Sequence, residues 1–197
     1  MDALAEYVDA GLQNLKGKYS EVRVKLDVAR DRLADVSSPE DCQAVGLICR
    51  DAMIRFANAI FSPDFVPEGS EVPAEDRAGA RIDMSLQHFG QMAGSAEIRR
   101  FTKTVVAYAM RLHHSQDATQ EQAQRTVLYT TLALIELAAL MEAVTRSEKW
   151  VQQYGVYKCD NCASTKLTED VVVDVDSHGV QSATKLLVCS QCGWVCL

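Results

Sequence analysis

This sequence predicts a mainly α protein that ends in a small metal-held β domain, on three observations. Before about residue 150 the apolar residues recur at helical spacing. Beyond it the chain turns to valine-rich alternation, the period of a strand. That same tail places four cysteines in two C-x-x-C pairs. The expected domains are therefore 1–150, helical, and 151–197, a short β unit. A chain of 197 residues, 48% of them hydrophobic and 24% charged, can bury one full core. A forty-residue tail is marginal on its own.

The helical part is read element by element. Leu4, Val8, Leu12 and Leu15 predict a first helix that loosens at Gly17. Val22, Leu26, Ala29, Leu33 and Val36 form one stripe of a second. Ser38-Pro39-Glu40-Asp41 opens a third: serine caps, proline suits the first helical position, and the acids favour the positive end of the dipole. Cys42, Val45, Cys49, Ala52, Phe56 and Ile60 then share a side, so Cys42 and Cys49 are expected in the core. Residues 62–76, with three prolines and five acids, predict an exposed loop. A helix from about Ala74 to Phe89 follows, with Ala78, Ile82, Leu86 and Phe89 inward and Gly90 and Gly94 beyond its end. The next, Ala96 to His114, aligns Ile98, Phe101, Val105, Tyr108 and Leu112. Thr119-Gln120-Glu121-Gln122 is a capping box for the last helix. There Leu128, Leu132, Ile135 and Ala139 are expected inward, with Leu134, Leu137, Leu140 and Met141 on the flanks. So apolar a circumference predicts a central helix or an oligomer interface.

In the tail, Val171–Val175 and Thr184–Val188 predict two strands, joined by turn residues including His178. Two strands alone are not independently stable. The pairs Cys159-Asp160-Asn161-Cys162 and Cys189-Ser190-Gln191-Cys192 supply what is missing. Each sets two thiolates on a tight turn, and together they make a four-sulfur tetrahedral site with zinc–sulfur bonds of about 2.3 Å. Twenty-six residues separate the pairs, enough for the hairpin. Gly193 follows the second pair, where such turns take an unusual backbone angle, and Ala163 holds the matching place after the first. Metal binding becomes folding free energy in such a domain, on the order of ten kcal/mol. The expected cofactor is thus one structural Zn2+ on Cys159, Cys162, Cys189 and Cys192, a closed site with no position for substrate. The pattern over about 155–197 resembles a zinc ribbon. Cys196 is expected to pack, with substitution as a metal ligand as its alternative; Trp194 is expected to pack over the metal turn, with a partner anchor as its alternative role.

Charge narrows the function. A net charge of −7 disfavours a protein that coats nucleic acid, because affinity for phosphates rests on neutralising them. The ribbon itself is acidic, with Asp160, Glu169, Asp170, Asp174 and Asp176 against three lysines, and suits a protein partner better. No signal peptide is read at the N-terminus, and Thr126–Val144, interrupted by Glu136 and Glu142, is read as a buried helix short of a membrane span. Paired cysteines of metal-binding spacing fit a reducing compartment, so a cytoplasmic location is expected. Phosphate loops, the G-x-S-x-G elbow and H-E-x-x-H are missing from the sequence.

The run Asp41-Cys42-Gln43-Ala44-Val45-Gly46-Leu47-Ile48-Cys49-Arg50 and the later Arg111-Leu112-His113-His114-Ser115-Gln116-Asp117-Ala118-Thr119 carry a resemblance. Over about 21–145 the chain resembles the HEPN superfamily of helical bundles found in bacterial defence and toxin–antitoxin proteins. The resemblance implies an up-and-down bundle, self-association into a dimer, and an antiphage context. Ribonuclease members carry an arginine followed, after four to six residues, by histidine. Only Arg81 and His88 satisfy that spacing here; His113 and His114 come too soon after Arg111. A polar helix face accounts for Arg81 and His88 equally. His114 matches the histidine kept in the second motif, with capping of the helix C-terminus as its plain role. Glu136, set among leucines and alanines, is expected to be buried or at an interface, with Arg111 or His114 as partner.

The expectation is a non-catalytic interaction protein, with two alternatives: a metal-independent ribonuclease using Arg81 and His88, or a nucleic-acid-binding regulator.

Overall fold

The computed structural model describes residues 2–89, 96–154, 158–159, 161–162, 164–175 and 181–196. It is mainly helical. Six α-helices run in the order α1 (Asp2–Asn14), α2 (Ser20–Ala34), α3 (Pro39–Ile60), α4 (Ala78–His88), α5 (Ala96–His114) and α6 (Gln120–Tyr154). Strands β1 (Leu167–Val175), β2 (Gln181–Cys189) and β3 (Val195–Cys196) follow. The chain divides into two compact units, Met1–Met141 and Glu142–Leu197. Helix α6 continues without a break through the expected boundary at residue 150.

Within the first unit α3 packs against α2, α4 and α5. Its start is capped as the sequence implies. Ser38 Oγ accepts from the Asp41 backbone N–H at 3.1 Å, and the Asp41 carboxylate accepts from the hydroxyls of Ser37 and Ser38. Those hydrogen bonds, led by the Ser37 backbone N–H, hold the Asp41 carboxyl below its ordinary range. The buried stripe runs Cys42, Val45, Gly46, Cys49, Ala52, Met53, Phe56, Ala57, Ile60. Both core cysteines are buried as expected, and burial pushes the Cys49 thiol up to about 12 against a hydrogen bond from Thr130. They are inert filling. Ion pairs Lys25–Asp51 (2.6 Å), Arg32–Asp41 (2.9 Å) and Arg55–Glu21 run along α2 and α3 and fix their antiparallel register. Tyr19 lies flat against Phe56, ring centroids 5.2 Å apart.

Helix α4 starts at Ala78, four residues later than the sequence suggested; Ala74–Arg77 forms a turn, and no side chain caps the helix. Asp83 on α4 holds Arg99 (2.9 Å) and Lys103 (3.2 Å) of α5. On α5 the buried residues are Thr102, Val105, Ala109 and Leu112, while Phe101 is exposed. The expected inward position of Phe101 is therefore wrong by one step around the helix.

The capping box of α6 forms in both directions. The Gln122 N–H reaches Thr119 Oγ1 at 3.3 Å, and the Thr119 N–H reaches Gln122 Oε1 at 3.0 Å. Its inward face also differs from expectation. Ala123, Val127, Thr130, Leu134, Leu137 and Met141 are buried, whereas Leu128 and Leu132 are half-buried and Ala139 is exposed. The residues assigned to the flank are largely the core. By length and composition the Gln120–Arg146 stretch could cross a membrane, its apolar 18-residue window having a mean hydropathy of 1.7. Of that window, 56% is buried inside the protein.

In the second unit β1 pairs antiparallel with β2 from Leu167↔Cys189 to Val175↔Gln181, and β2 pairs with β3 at Leu187↔Cys196 and Val188↔Val195. The sheet order is β1-β2-β3. Both expected strands exist and are longer than their valine runs; β3 was not foreseen. Leu167, Leu187, Cys159 and Cys189 form the small core. The His178 turn, Ala163, Gly90, Gly94 and the Cys196 side chain lie outside the described residues.

Candidate metal centre

Each cysteine pair occupies a tight turn tied down by the same backbone hydrogen bond. The Cys159 N–H donates to the Ser164 carbonyl at 2.8 Å, and the Cys189 N–H donates to the Trp194 carbonyl at 2.8 Å. Both close a loop from the first cysteine to the fifth residue after it. A third bond, Ser190 N–H to Lys166 carbonyl at 2.8 Å, fastens one turn to the other. In the second turn the Gly193 N–H returns to the Cys189 carbonyl, and Gly193 takes φ +71°, a conformation that side chains resist. The glycine is there for the reason the sequence suggested.

These turns bring four sulfurs together. Cys159 Sγ lies 3.6 Å from Cys192 Sγ, and Cys162 Sγ lies 3.6 Å from Cys189 Sγ. All four lie within 4.8 Å of one another, so the set could hold a metal ion. A tetrahedron with metal–sulfur bonds of about 2.3 Å has edges of about 3.8 Å, close to these separations. Disulfides are excluded at 3.6 Å, since an S–S bond is about 2.05 Å. The close contacts run between the pairs, as convergence on one point requires.

The surroundings favour thiolate at Cys192 and Cys189. The Trp194 backbone N–H, helped by Asn161, pulls the Cys192 thiol down to about 6. The Asn161 amide lies 3.6 Å from that sulfur. Cys189 loses water but is lowered by the backbone N–H groups of Cys192 and Gln191. At Cys162 the Ser164 N–H works in the same direction, yet loss of water and the neighbouring sulfurs push that thiol up to about 12. Four crowded sulfurs without a cation cannot all ionise; a dication removes that conflict. Sequence reasoning overlooked Asn161 and the backbone donors. The only signal was an amide side chain inside the first pair.

The other singled-out residues go elsewhere. Arg81 donates twice to the Pro73 carbonyl (3.1 and 3.0 Å) and once to Asn58 Oδ1 (2.8 Å), and lies 4.8 Å over the Phe61 ring. It fastens the 66–77 loop to α3 and α4. His88 stacks on Phe65 at 4.2 Å. Arg111 sits over the Tyr108 ring at 5.6 Å, and His114 is exposed at the end of α5 beside His113. His113, rather than His114, turns inward, with Nδ1 buried and without a hydrogen-bond partner among the described residues. Glu136 is exposed and accepts a hydrogen bond from the Tyr7 hydroxyl. That bond, with some loss of water, raises the Tyr7 pKa. The expectation of a buried Glu136 partnered by Arg111 or His114 is corrected: it lies opposite Leu134 on α6, and its partner comes from α1.

Comparison of the chain with family models, with curated proteins and with solved structures finds no match.

Proposed function

We propose that this chain is a non-catalytic interaction protein, in which a HEPN-like bundle pairs with a second copy and a zinc ribbon grips a partner protein in the cytoplasm. Zinc is the metal we assign to Cys159, Cys162, Cys189 and Cys192. Four soft thiolates in a closed tetrahedron suit it, and such a set leaves no position for catalysis. Antiphage defence is the context suggested by the resemblance.

The observation that carries the partner-binding reading is Trp194. It was expected to pack over the metal turn; instead it is 51% exposed, with Val195 beside it at 38%. A tryptophan held rigid by a metal turn and left in solvent is a favourable anchor for a protein interface. Exposed Glu169 and Asp170 on β1 add negative charge to this unit and make phosphate a poor partner for it.

Two measurements test the reading. Elemental analysis of purified protein should find one zinc per chain, and Cys189→Ser with Cys192→Ser should abolish it. Affinity purification after cross-linking should recover a stoichiometric partner protein with wild type that is lost with Trp194→Ala, zinc content unchanged. Retention of that partner by the Trp194→Ala, Val195→Ser double variant would overturn the reading. So would robust RNA cleavage that His88→Ala abolishes. The hydrogen bonds that occupy Arg81 do not support that chemistry.

A further inference from the structure

A cleft of about 360 Å³ opens between α3, the start of α4 and α5. Its floor is apolar: Met53, Ile54, Val106, Ala109 and Met110, with Ala78, Gly79 and Ala80 along one wall. Its polar groups are Arg50, Asp76 and Arg77. The volume lies near the low end for small-molecule sites, about 300–1,000 Å³.

Arg50 gives the cleft its chemistry. Four arginines of the bundle are half-buried among the described residues: Arg50, Arg55, Arg81 and Arg99. Three are spoken for. Arg55 binds Asp51 and Glu21, Arg81 binds Pro73 and Asn58, and Arg99 binds Asp83. Arg50 alone of the four makes no hydrogen bond among the described residues. Its side chain is only 29% exposed, and its ionic partner, Asp76, stands 3.8 Å away and is itself 64% exposed. That distance is beyond hydrogen bonding. A guanidinium with five fixed donors, mostly withdrawn from water, lacks an acceptor that a carboxylate would supply in two-pronged fashion. Arg77 at the rim leaves the cleft one net positive charge after Asp76 is counted.

Gly79 keeps the space open. A Cβ there would touch only Val106 Cγ1, at 3.8 Å, so a side chain fits on α4 but projects toward the cleft lining. The two methionines add soft, adaptable walls suited to varied apolar bodies.

We infer that this cleft is a binding site for a small amphipathic carboxylate, its head on Arg50 and its apolar body against Met53, Val106 and Met110. The site is independent of the metal centre and adds a ligand to the interaction role proposed above.

Octanoate serves as probe, with octanol as its uncharged counterpart, and the full chain labelled at the methionine methyls as reporter. The signals of Met53 and Met110, identified by single Met→Leu variants, should shift saturably with octanoate. Octanol should need at least about tenfold more. Arg50→Met should raise the octanoate midpoint about ten- to hundredfold, the range of a charge-assisted pair. Gly79→Leu should abolish the shifts; should that variant fail to fold, Arg50→Met decides. Three results each overturn the inference: no saturable shift up to about 10 mM, equal midpoints for octanoate and octanol, or an unchanged midpoint in Arg50→Met.

Discussion

Alanine for glycine inside a helix ordinarily stabilises, by about 1 kcal/mol, because glycine loses more backbone freedom on folding. At Gly46 the sign should reverse. A Cβ built there lies 2.7 Å from the His113 backbone nitrogen, 3.1 Å from Leu112 Cβ and 3.2 Å from the Ala109 carbonyl oxygen. Every one of these atoms belongs to the α5 backbone or is bonded to it, so no rotamer change relieves the clash. Helices α3 and α5 must instead separate by several tenths of an ångström. Val45, Cys49, Ala109 and Leu112 share the buried cluster at this crossing and would loosen together. Overpacking of this kind costs about 1–3 kcal/mol. After the helix-propensity gain, a net loss of up to about 2 kcal/mol is expected, or up to about 8 °C in Tm for a chain of this size. Urea unfolding followed by helical circular dichroism gives the number, read as a lower midpoint at constant slope. Gly79→Ala is the internal control. Its Cβ would meet only an ordinary contact, so it should stabilise by about 0.5–1 kcal/mol. A Gly46→Ala midpoint at or above wild type would refute the close-crossing argument, as would equal losses at the two glycines.

Two further outcomes concern single groups. Ser38→Ala removes the side-chain acceptor of the Asp41 N–H and should cost about 1 kcal/mol in the same urea assay; a change within a few tenths would show that the cap is not used. Asp83 is partly withdrawn from water, which raises its pKa, but the hydrogen bonds from Arg99 and Lys103 prevail and lower it. A folded-state pKa below the unfolded one means a contribution present in full above the ordinary aspartate pKa of about 3.9 and lost as pH falls through the folded value. Wild type should therefore lose stability more steeply than Asp83→Asn on acidification below about pH 4. Parallel pH profiles for the two proteins would refute it.

The features legible in the sequence were those in which chemistry dictates position. Ser38-Pro39 and Thr119 through Gln122 started helices where capping physics requires, and the reciprocal hydrogen bonds are present. The two C-x-x-C pairs announced a four-sulfur cluster, and Gly193 announced the left-handed turn beside it. The strand β3 could not be read, because two residues have no period of their own; they pair only because the second cysteine turn swings them alongside β2. The Tyr7–Glu136 bond is likewise invisible, linking residues far apart in sequence across two helices.

Misassigned faces on α5 and α6 have a common physical origin. Ranking positions by hydrophobicity favoured Phe101, Leu128 and Leu132, and passed over Thr102, Ala109, Ala123 and Thr130. Small residues are what a close helix crossing demands, and Gly46 against Ala109 and His113 shows how close α3 and α5 come. Threonine enters such a face at little cost. Thr102 and Thr126 return their hydroxyls to the carbonyls of Ile98 and Gln122, so these two hydroxyls keep a partner within their own helix. Leu128 and Leu132 are then displaced to the borders, where they are half-covered, and Phe101 is left exposed. On a helix apolar around most of its circumference, the inward face is therefore marked by the small residues Ala123 and Thr130, which select Leu134 and Leu137 over Leu128 and Leu132 at four-three spacing.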